Sequence, residues 1–301
     1  MLKVTSGNSH ITLAKQLSQQ LNIEYIAADI QKFADEELRI QFTTPLYTDD
    51  IIIVQSTSNP ANDYLMELLL LVDAVKCAGA QRIIAVMPYF GYSRQDRPSY
   101  DYGPISARLI ATLLEAAGVD QLITIDLHSS QIEGFFKIGV QNINSIPLFT
   151  TSITENQNLV VVSPDIGGIN RAQKLSSYLG VDIAIINKIR NTYNKCSMQQ
   201  LIGNVSGKKC LLIDDIVDTG NTICQATDLL LDKGAVAVEA FITHAVLSEP
   251  AISNIMQSRL EKISITNSIV HHHLPRKFKV IGLNSLLAQA IQKINSQLAI
   301  S

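Results

Sequence analysis

The chain contains no Trp, only four Cys in 301 residues, and no surplus of positive charge, with 24 Lys plus Arg against 27 Asp plus Glu. Each shortage removes a class of protein. Cys77, Cys196, Cys210 and Cys224 form no Cys-x-x-Cys pair and no regular framework, which speaks against a disulfide scaffold or a zinc cluster and fits reduced thiols in a cytoplasmic protein. A formal net charge of −3 offers no general attraction for nucleic acid or anionic lipid, so phosphate binding has to come from local loops. No nucleic-acid and no membrane partner is expected. Long apolar runs are missing too: the most apolar helical stretch, Leu65 to Val75, is interrupted by Glu67 and Asp73 and is too short to cross a bilayer. The opening Met1-Leu2-Lys3-Val4-Thr5-Ser6-Gly7 lacks the basic stretch, apolar segment and cleavage site of a secretory signal.

What remains is enough for two globular domains, taking roughly 150 residues for each. Short β-branched runs alternate with helical patterns, the rhythm of βαβ units around a parallel sheet covered on both faces. Leu2 to Thr5, Ile51 to Gln55, Arg82 to Met87 and Leu122 to Asp126 read as strands of a first half. Helices are expected from about Ser9 to Leu21, Ala61 to Ala78 and Pro104 to Ala117, with Pro104 suited to a first turn. A second series follows at Leu159 to Ser163, Ile183 to Ile186, Leu211 to Asp215, Val236 to Thr243, Lys262 to Ile265 and Lys279 to Ile281. The expected fold class is α/β, in two domains that each hold a mainly parallel β-sheet flanked by helices. Polar Gln141 to Pro147 marks a boundary near residue 144, giving domains over 1–144 and 145–283. A last helix over 284–301, apolar at Leu286, Leu287, Ala290, Ile291 and Ile294, needs a surface to cover and can return to the first domain.

In open α/β sheets ligands bind outside the carboxyl ends of the strands, and four polar segments directly follow apolar runs. They are Tyr89 to Asp96, Asp126 to Gln131, Ser163 to Gly168 and Asp214 to Thr222. The last is the most informative. Thr219, Gly220, Asn221 and Thr222 can offer backbone N–H groups and hydroxyls to a phosphate at a helix N-terminus, while Asp214 and Asp215 can accept from ribose hydroxyls. The plainer alternative is an Asp-rich turn with Thr219 or Thr222 acting as a helix cap, yet two adjacent acids after a buried strand gain nothing from capping alone. Consecutive His271-His272-His273 reads as a solvated loop rather than a metal site, because strand side chains alternate faces. Gly7-Asn8-Ser9 reads as a turn and helix cap.

The Leu211 to Thr222 segment resembles the phosphoribosyl-pyrophosphate fingerprint of the type I phosphoribosyltransferase fold. The longer span from Gly7 to about Ile294 is similar to the ribose-phosphate pyrophosphokinases. That similarity rests on Pro88 to Asp96, Asp126-Leu127-His128 with Gly134-Phe135-Phe136, and Ser163-Pro164-Asp165-Ile166-Gly167-Gly168. Asn62-Asp63 with Leu65 to Leu68, Val72-Asp73-Ala74 and Phe33-Ala34-Asp35-Glu36-Glu37 add to it. The resemblance implies transfer of pyrophosphate from ATP to the anomeric hydroxyl of ribose 5-phosphate, with release of AMP. It implies an ATP site at Phe33, Asp35, Glu37, Arg94, Gln95 and Asp96, and a ribose 5-phosphate site at Asp214, Asp215, Asp218, Thr219, Gly220, Asn221 and Thr222. His128 and Asp165 are the implied Mg²⁺ ligands, Lys188 and Arg190 the implied catalytic cations at the start of a mobile loop. The implied active site lies between the domains, with nucleotide contacts from a neighbouring subunit and hence a homo-oligomer, dimer to hexamer.

Departures from the family pattern carry expectations of their own. Glu36 stands where the family has Gly, which alters the turn if Glu disfavours the required backbone angles. Ile189 and Thr192 replace basic residues of the catalytic loop. Arg97-Pro98-Ser99-Tyr100-Asp101-Tyr102-Gly103 replaces a basic run, and the chain stops at Ser301 without the family's Ser-rich tail, so weak or absent control by phosphate and ADP is expected. A non-catalytic regulatory paralogue and a purine or pyrimidine phosphoribosyltransferase are the alternative readings.

Overall fold

The structure is a computed structural model and describes residues 1–98, 100–153, 158–190 and 197–298, without the side chains of 188–199 and 297–298. It divides into two compact units, one of residues 1–144, 268–270 and 282–301, the other of residues 145–267 and 271–281. Each is an α/β layer structure.

In the first unit the order is β1 (Leu2–Ser6), α1 (Ile11–Leu21), β2 (Glu24–Tyr25), β3 (Asp29–Lys32), β4 (Leu38–Gln41), β5 (Asp50–Val54), α2 (Ala61–Cys77), β6 (Arg82–Met87), α3 (Ser106–Ala117), β7 (Gln121–Ile125), a 3-10 turn (Ser130–Phe135) and β8 (Gly139–Ile143). Six strands form one parallel sheet in the order β2-β1-β5-β6-β7-β8. The near-continuous apolar runs of β5 and β6 are buried along Ile51–Val54 and Ile83–Met87, as a sheet with both faces covered requires. Leu68, Leu71, Val72 and Val75 of α2 and Ala107, Ile110, Ala111 and Leu114 of α3 pack against that sheet.

The second unit holds α4 (Ile146–Thr150), β9 (Leu159–Ser163), α5 (Ile169–Leu179), β10 (Asp182–Arg190), β11 (Ser197–Ile202), β12 (Lys209–Val217), α6 (Asn221–Asp232), β13 (Ala237–Ala245), α7 (Ala251–Gln257), β14 (Lys262–Thr266) and β15 (Phe278–Ile281). Its sheet runs β11-β10-β9-β12-β13-β14-β15, parallel except for the antiparallel β10–β11 pair. All of β9 is buried, and Cys210–Ile213 of β12 are buried beside it. The final helix, α8 (Asn284–Leu298), belongs to the first unit, where it packs on α1 and Asn284 Nδ2 donates to Gln20 Oε1 at 3.1 Å.

Several boundaries differ from the sequence reading, each for a local reason. α1 is capped by His10, whose Nδ1 accepts from Leu13 N at 3.4 Å, while Ser9 turns inward and donates to Gln55 Oε1 at 2.7 Å. Pro104 precedes α3 rather than entering it, since the helix starts at Ser106. Gln141 to Ile143 form the end of β8 instead of a polar link, their backbone being paired with β7. Backbone pairing at the sheet edge overrides the low strand preference of these polar residues. Cys77, Cys210 and Cys224 are free thiols, and burial pushes Cys210 up to about 12. Cys196 lies outside the described residues. Among the described residues no helix is long and apolar enough to cross a membrane.

Candidate active site

β12 lies between β9 and β13, in the interior of its sheet, and delivers its polar residues at the carboxyl end, where such sheets bind ligands. Asp214 and Asp215 are within the strand rather than beyond it, because pairing with β13 continues to Val217. After Asp218 and Thr219 the chain turns through Gly220, at φ 78°, into α6. A Cβ on Gly220 would meet Ile255 Cγ1 at 3.1 Å and the Ala251 carbonyl at 3.4 Å, so the turn demands glycine for both backbone angle and space. Gly220 is also the N-cap residue, without a side-chain cap bond. The cap thus belongs to neither Thr219 nor Thr222, and an anion is the natural complement of a helix end of this kind. Asn254 of α7 steadies the loop, its Nδ2 donating to the Thr219 carbonyl and to Asn221 Oδ1, both at 3.1 Å.

Burial, and then the adjacent Asp215, push the Asp214 carboxyl well above the ordinary carboxylate range, whereas Arg171 pulls it down. Arg171 Nη1 lies 3.3 Å from Asp214 Oδ1 and 3.4 Å from Asp215 Oδ1. Nothing in the sequence reading singled out Arg171, because a cation in the first turn of a helix ordinarily reads as a solvated face. Its signal is the preceding turn. Ser163 Oγ donates to the Asp165 carbonyl at 2.6 Å, and Asp165 Oδ1 accepts from Gly168 N at 3.0 Å, which folds Ser163 to Gly168 into the start of α5 and roots Arg171 there. Asp165 is half-buried and close enough to Asp214 for its charge to raise the Asp214 carboxyl further. The second unit therefore gathers Asp165, Arg171, Asp214 and Asp215, with Asp218 to Thr222 following on the same strand end.

Lys188 and Arg190 do not open a loop directly after Ile186. β10 continues through both, pairing Lys188 with Gln199 and Arg190 with Ser197, since an antiparallel partner extends the strand. Residues 191–196, including Thr192, lie outside the described residues, as do the side chains of Lys188, Ile189 and Arg190.

In the first unit the two segments expected to meet the nucleotide stand on different supports. Phe33, Asp35 and Glu37 occupy the exposed tip of the β3–β4 hairpin, closed by Phe33 N donating to the Glu37 carbonyl at 2.8 Å. Phe33 is 54% exposed, a ring surface open to a ligand. Glu36 takes φ 70° there, so the turn is kept with Glu in the left-handed region, and its carboxylate pairs with Lys32 Nζ at 2.6 Å. The second segment follows β6. Gly91 N donates to Thr57 Oγ1 at 2.7 Å, Arg94 is exposed, and the Gln95 side chain accepts from Ser106 Oγ at 2.6 Å. Asp96 is buried, accepting at 2.7 Å from Nε2 of Gln131. Gln131 is three residues beyond exposed His128, so the Arg94–Asp96 and His128 segments are joined. His128 itself follows a bend at Asp126, φ 38°, where Leu127 N donates to Asn142 Oδ1 at 3.1 Å.

Metal chemistry is constrained by these surroundings. Among the described residues no group of three or more His, Cys, Asp or Glu side chains converges on one point, and Asp165 already spends one oxygen on Gly168. Such residues fit a hard cation held chiefly by phosphate oxygens and water, with one or two protein ligands. His271 is not part of any such group; its Nε2 lies 2.7 Å from the Ala245 carbonyl, while His272 and His273 are exposed in a loop.

Residues 2–118 match the model of the N-terminal domain of ribose phosphate pyrophosphokinase, and residues 187–301 that of the phosphoribosyl synthetase-associated domain. Ribose-phosphate pyrophosphokinase from Rhizobium meliloti is 43% identical over 306 residues, covering 100% of this chain and 99% of its own. Ribose-phosphate pyrophosphokinase 1 from Streptococcus pyogenes is 42% identical over 311 residues, covering 100% and 96%. The crystal structure of phosphoribosylpyrophosphate synthetase from Mycobacterium smegmatis superposes with a TM-score of 0.92 at 36% identity, covering 98% of this chain and 99% of that one. Fold, strand-end geometry and similarity along the whole length agree: the chain belongs to the ribose-phosphate pyrophosphokinase family.

Proposed function

We propose that this chain performs its family's reaction with the residues gathered at the two sets of strand ends. The ribose 1-hydroxyl attacks the β-phosphorus of ATP, the bond from that phosphorus to the α–β bridging oxygen breaks, and AMP leaves with the electron pair; the hydroxyl proton passes to solvent. The products are phosphoribosyl pyrophosphate and AMP, which feed nucleotide biosynthesis. The observation that carries the reading is the carboxyl end of β12, where two adjacent acids precede a helix start whose N-cap residue is glycine.

Asp218 to Thr222 bind the 5-phosphate by N–H groups and hydroxyls, and Asp214 and Asp215 accept from the sugar hydroxyls. Phe33 stacks the adenine, Asp35 and Glu37 accept from its amino group, and Arg94 meets phosphate charge. Gln95 and Asp96 act from behind, holding the Arg94 segment through Ser106 and Gln131. Lys188 and Arg190 stabilise the negative charge that gathers on the transferring group. The family is generally Mg²⁺-dependent, and His128 and Asp165 are the side chains we assign to the ion. When bound, Mg²⁺ supplies charge neutralisation on the phosphates. We assign the protein to the cytoplasm and to a homo-oligomer, dimer to hexamer, in keeping with the exposed nucleotide hairpin.

The test is an assay of the purified protein with ribose 5-phosphate, ATP and Mg²⁺ in which AMP and phosphoribosyl pyrophosphate are quantified separately. Equal formation of both is expected. Absence of both from folded, oligomeric protein favours a regulatory paralogue instead.

A further inference from the structure

A single guanidinium nitrogen contacts both acids near the carboxyl end of β12. Arg171 Nη1 is 3.3 Å from Asp214 Oδ1 and 3.4 Å from Asp215 Oδ1, and the backbone N of Asp215 also donates to Asp214 Oδ1 at 2.9 Å. The pair is shielded, with side-chain exposures of 16% for Arg171, 16% for Asp214 and 7% for Asp215. Adjacent carboxylates out of water repel each other and drift toward protonation. A permanently charged, planar cation offsets that repulsion and fixes the direction of each carboxylate, which a flexible ammonium would do less well.

Two features make this more than an ion pair. The contacts are longer than the 2.7–2.9 Å common for tight charge-assisted bonds, and each uses one oxygen only. The nitrogen reaches Oδ1 of each acid, so both carboxyl groups are turned to the same side. The root of Arg171 is also fixed: its backbone N donates to the Gly168 carbonyl at 3.0 Å, at the end of the turn that Asp165 and Ser163 hold in place. The guanidinium therefore approaches the acids from a braced helix start.

We propose that Arg171 is a positioning residue for sugar recognition, holding the carboxyl groups of Asp214 and Asp215 oriented toward the 2- and 3-hydroxyls of ribose 5-phosphate. The inference rests on the assignment of those acids to the ribose under the proposed function. Arg171 acts through them and touches neither nucleotide nor the transferring phosphorus.

The experiment compares wild type, Arg171→Gln and Arg171→Lys as intact protein with ribose 5-phosphate and 2-deoxyribose 5-phosphate, and measures the affinity of Asp214→Asn and Asp215→Asn for ribose 5-phosphate by calorimetry. Arg171→Gln is expected to raise KM for ribose 5-phosphate by roughly 10-fold or more, about the loss of one hydrogen bond to a charged group. KM for ATP stays near the wild-type value, and the preference for ribose over 2-deoxyribose narrows. Arg171→Lys is expected to lie between the two, and carries the same comparison if Arg171→Gln does not fold. An unchanged ribose preference in folded variants, or equal rises in both KM values, overturns the role of Arg171. If the Asp variants bind ribose 5-phosphate as wild type does, the assignment of the acids fails and the role of Arg171 fails with it. If the Asp variants lose affinity while the Arg171 variants keep it, only the role of Arg171 fails.

Discussion

The two units share a plan of parallel strands flanked by helices but present their polar residues differently. In the second, Asp214 and Asp215 lie near the carboxyl end of an interior strand, braced by Arg171, and the loop that follows is pinned by Gly220 and Asn254. In the first, Phe33, Asp35 and Glu37 ride on the tip of an exposed two-stranded hairpin, and Arg94 is held out by a turn whose inner residues bond to Ser106 and Gln131. One arrangement is a pre-formed polar cradle, the other an exposed ring and an exposed cation that the proposed function assigns to a flat aromatic base and its phosphates. On the proposed function, the contrast teaches that a compact sugar phosphate is met by rigid, partly buried groups, whose geometry is costly to disturb, and a nucleotide by surface segments that tolerate change in the fold.

The comparison breaks first at the cations proposed to act on the transferring group. Lys188→Ala is expected to lower turnover by ~10²-fold or more, as for loss of one charge contact to a transition state, with Tm unchanged; unchanged turnover would remove Lys188 from catalysis. On the nucleotide side, Phe33→Ala is expected to raise KM for ATP by about 10-fold, within the ~1–3 kcal/mol that base–aromatic stacking supplies. Because Phe33 is exposed, calorimetric Tm should not move. Gly220→Ala is the opposite kind of change: a side chain at φ 78° costs about 1–2 kcal/mol, so both Tm and affinity for ribose 5-phosphate should fall. Equal behaviour of the Phe33 and Gly220 variants would erase the distinction between the units.

Asp214 gives a subtler test, with the sign set by its raised carboxyl. The folded protein binds a proton there that the unfolded chain releases near the ordinary carboxylate value. This group's contribution is therefore most favourable in acid, and is lost as pH rises from that value through the raised folded one. Asp214→Asn should accordingly raise Tm at neutral pH, and the gain should vanish in acid, while sugar binding weakens. Thermal scans from pH 4 to 8 check this. The smallest effect concerns regulation: with Arg97 to Gly103 poor in basic residues, added inorganic phosphate at fixed free Mg²⁺ should leave turnover essentially unchanged.

Much of this architecture was legible because the buried strands are written as unbroken β-branched runs, Ile51–Val54 and Leu159–Ser163 among them, that only a sheet covered on both faces accommodates. The Asp214 to Thr222 segment was legible for the same reason, as polar residues directly following such a run. The β3–β4 hairpin was not, since its strands are four residues long and mostly exposed, with Ile30 and Ile40 as their inward contacts. Nor was the extension of β10 through Lys188 and Arg190, which depends on pairing with β11 rather than on hydrophobicity. Arg171 escaped because its meaning lies in two acids more than 40 residues away along the chain.

The most direct test of the division of labour is hydrogen exchange of the intact protein with each substrate alone. Ribose 5-phosphate should protect the backbone of Asp214 to Cys224 and leave the Phe33 to Glu37 tip unchanged, while a non-hydrolysable ATP analogue should protect that tip and the Tyr89 to Asp96 segment. Protection of the hairpin by ribose 5-phosphate, with no change at the end of β12, would contradict the account.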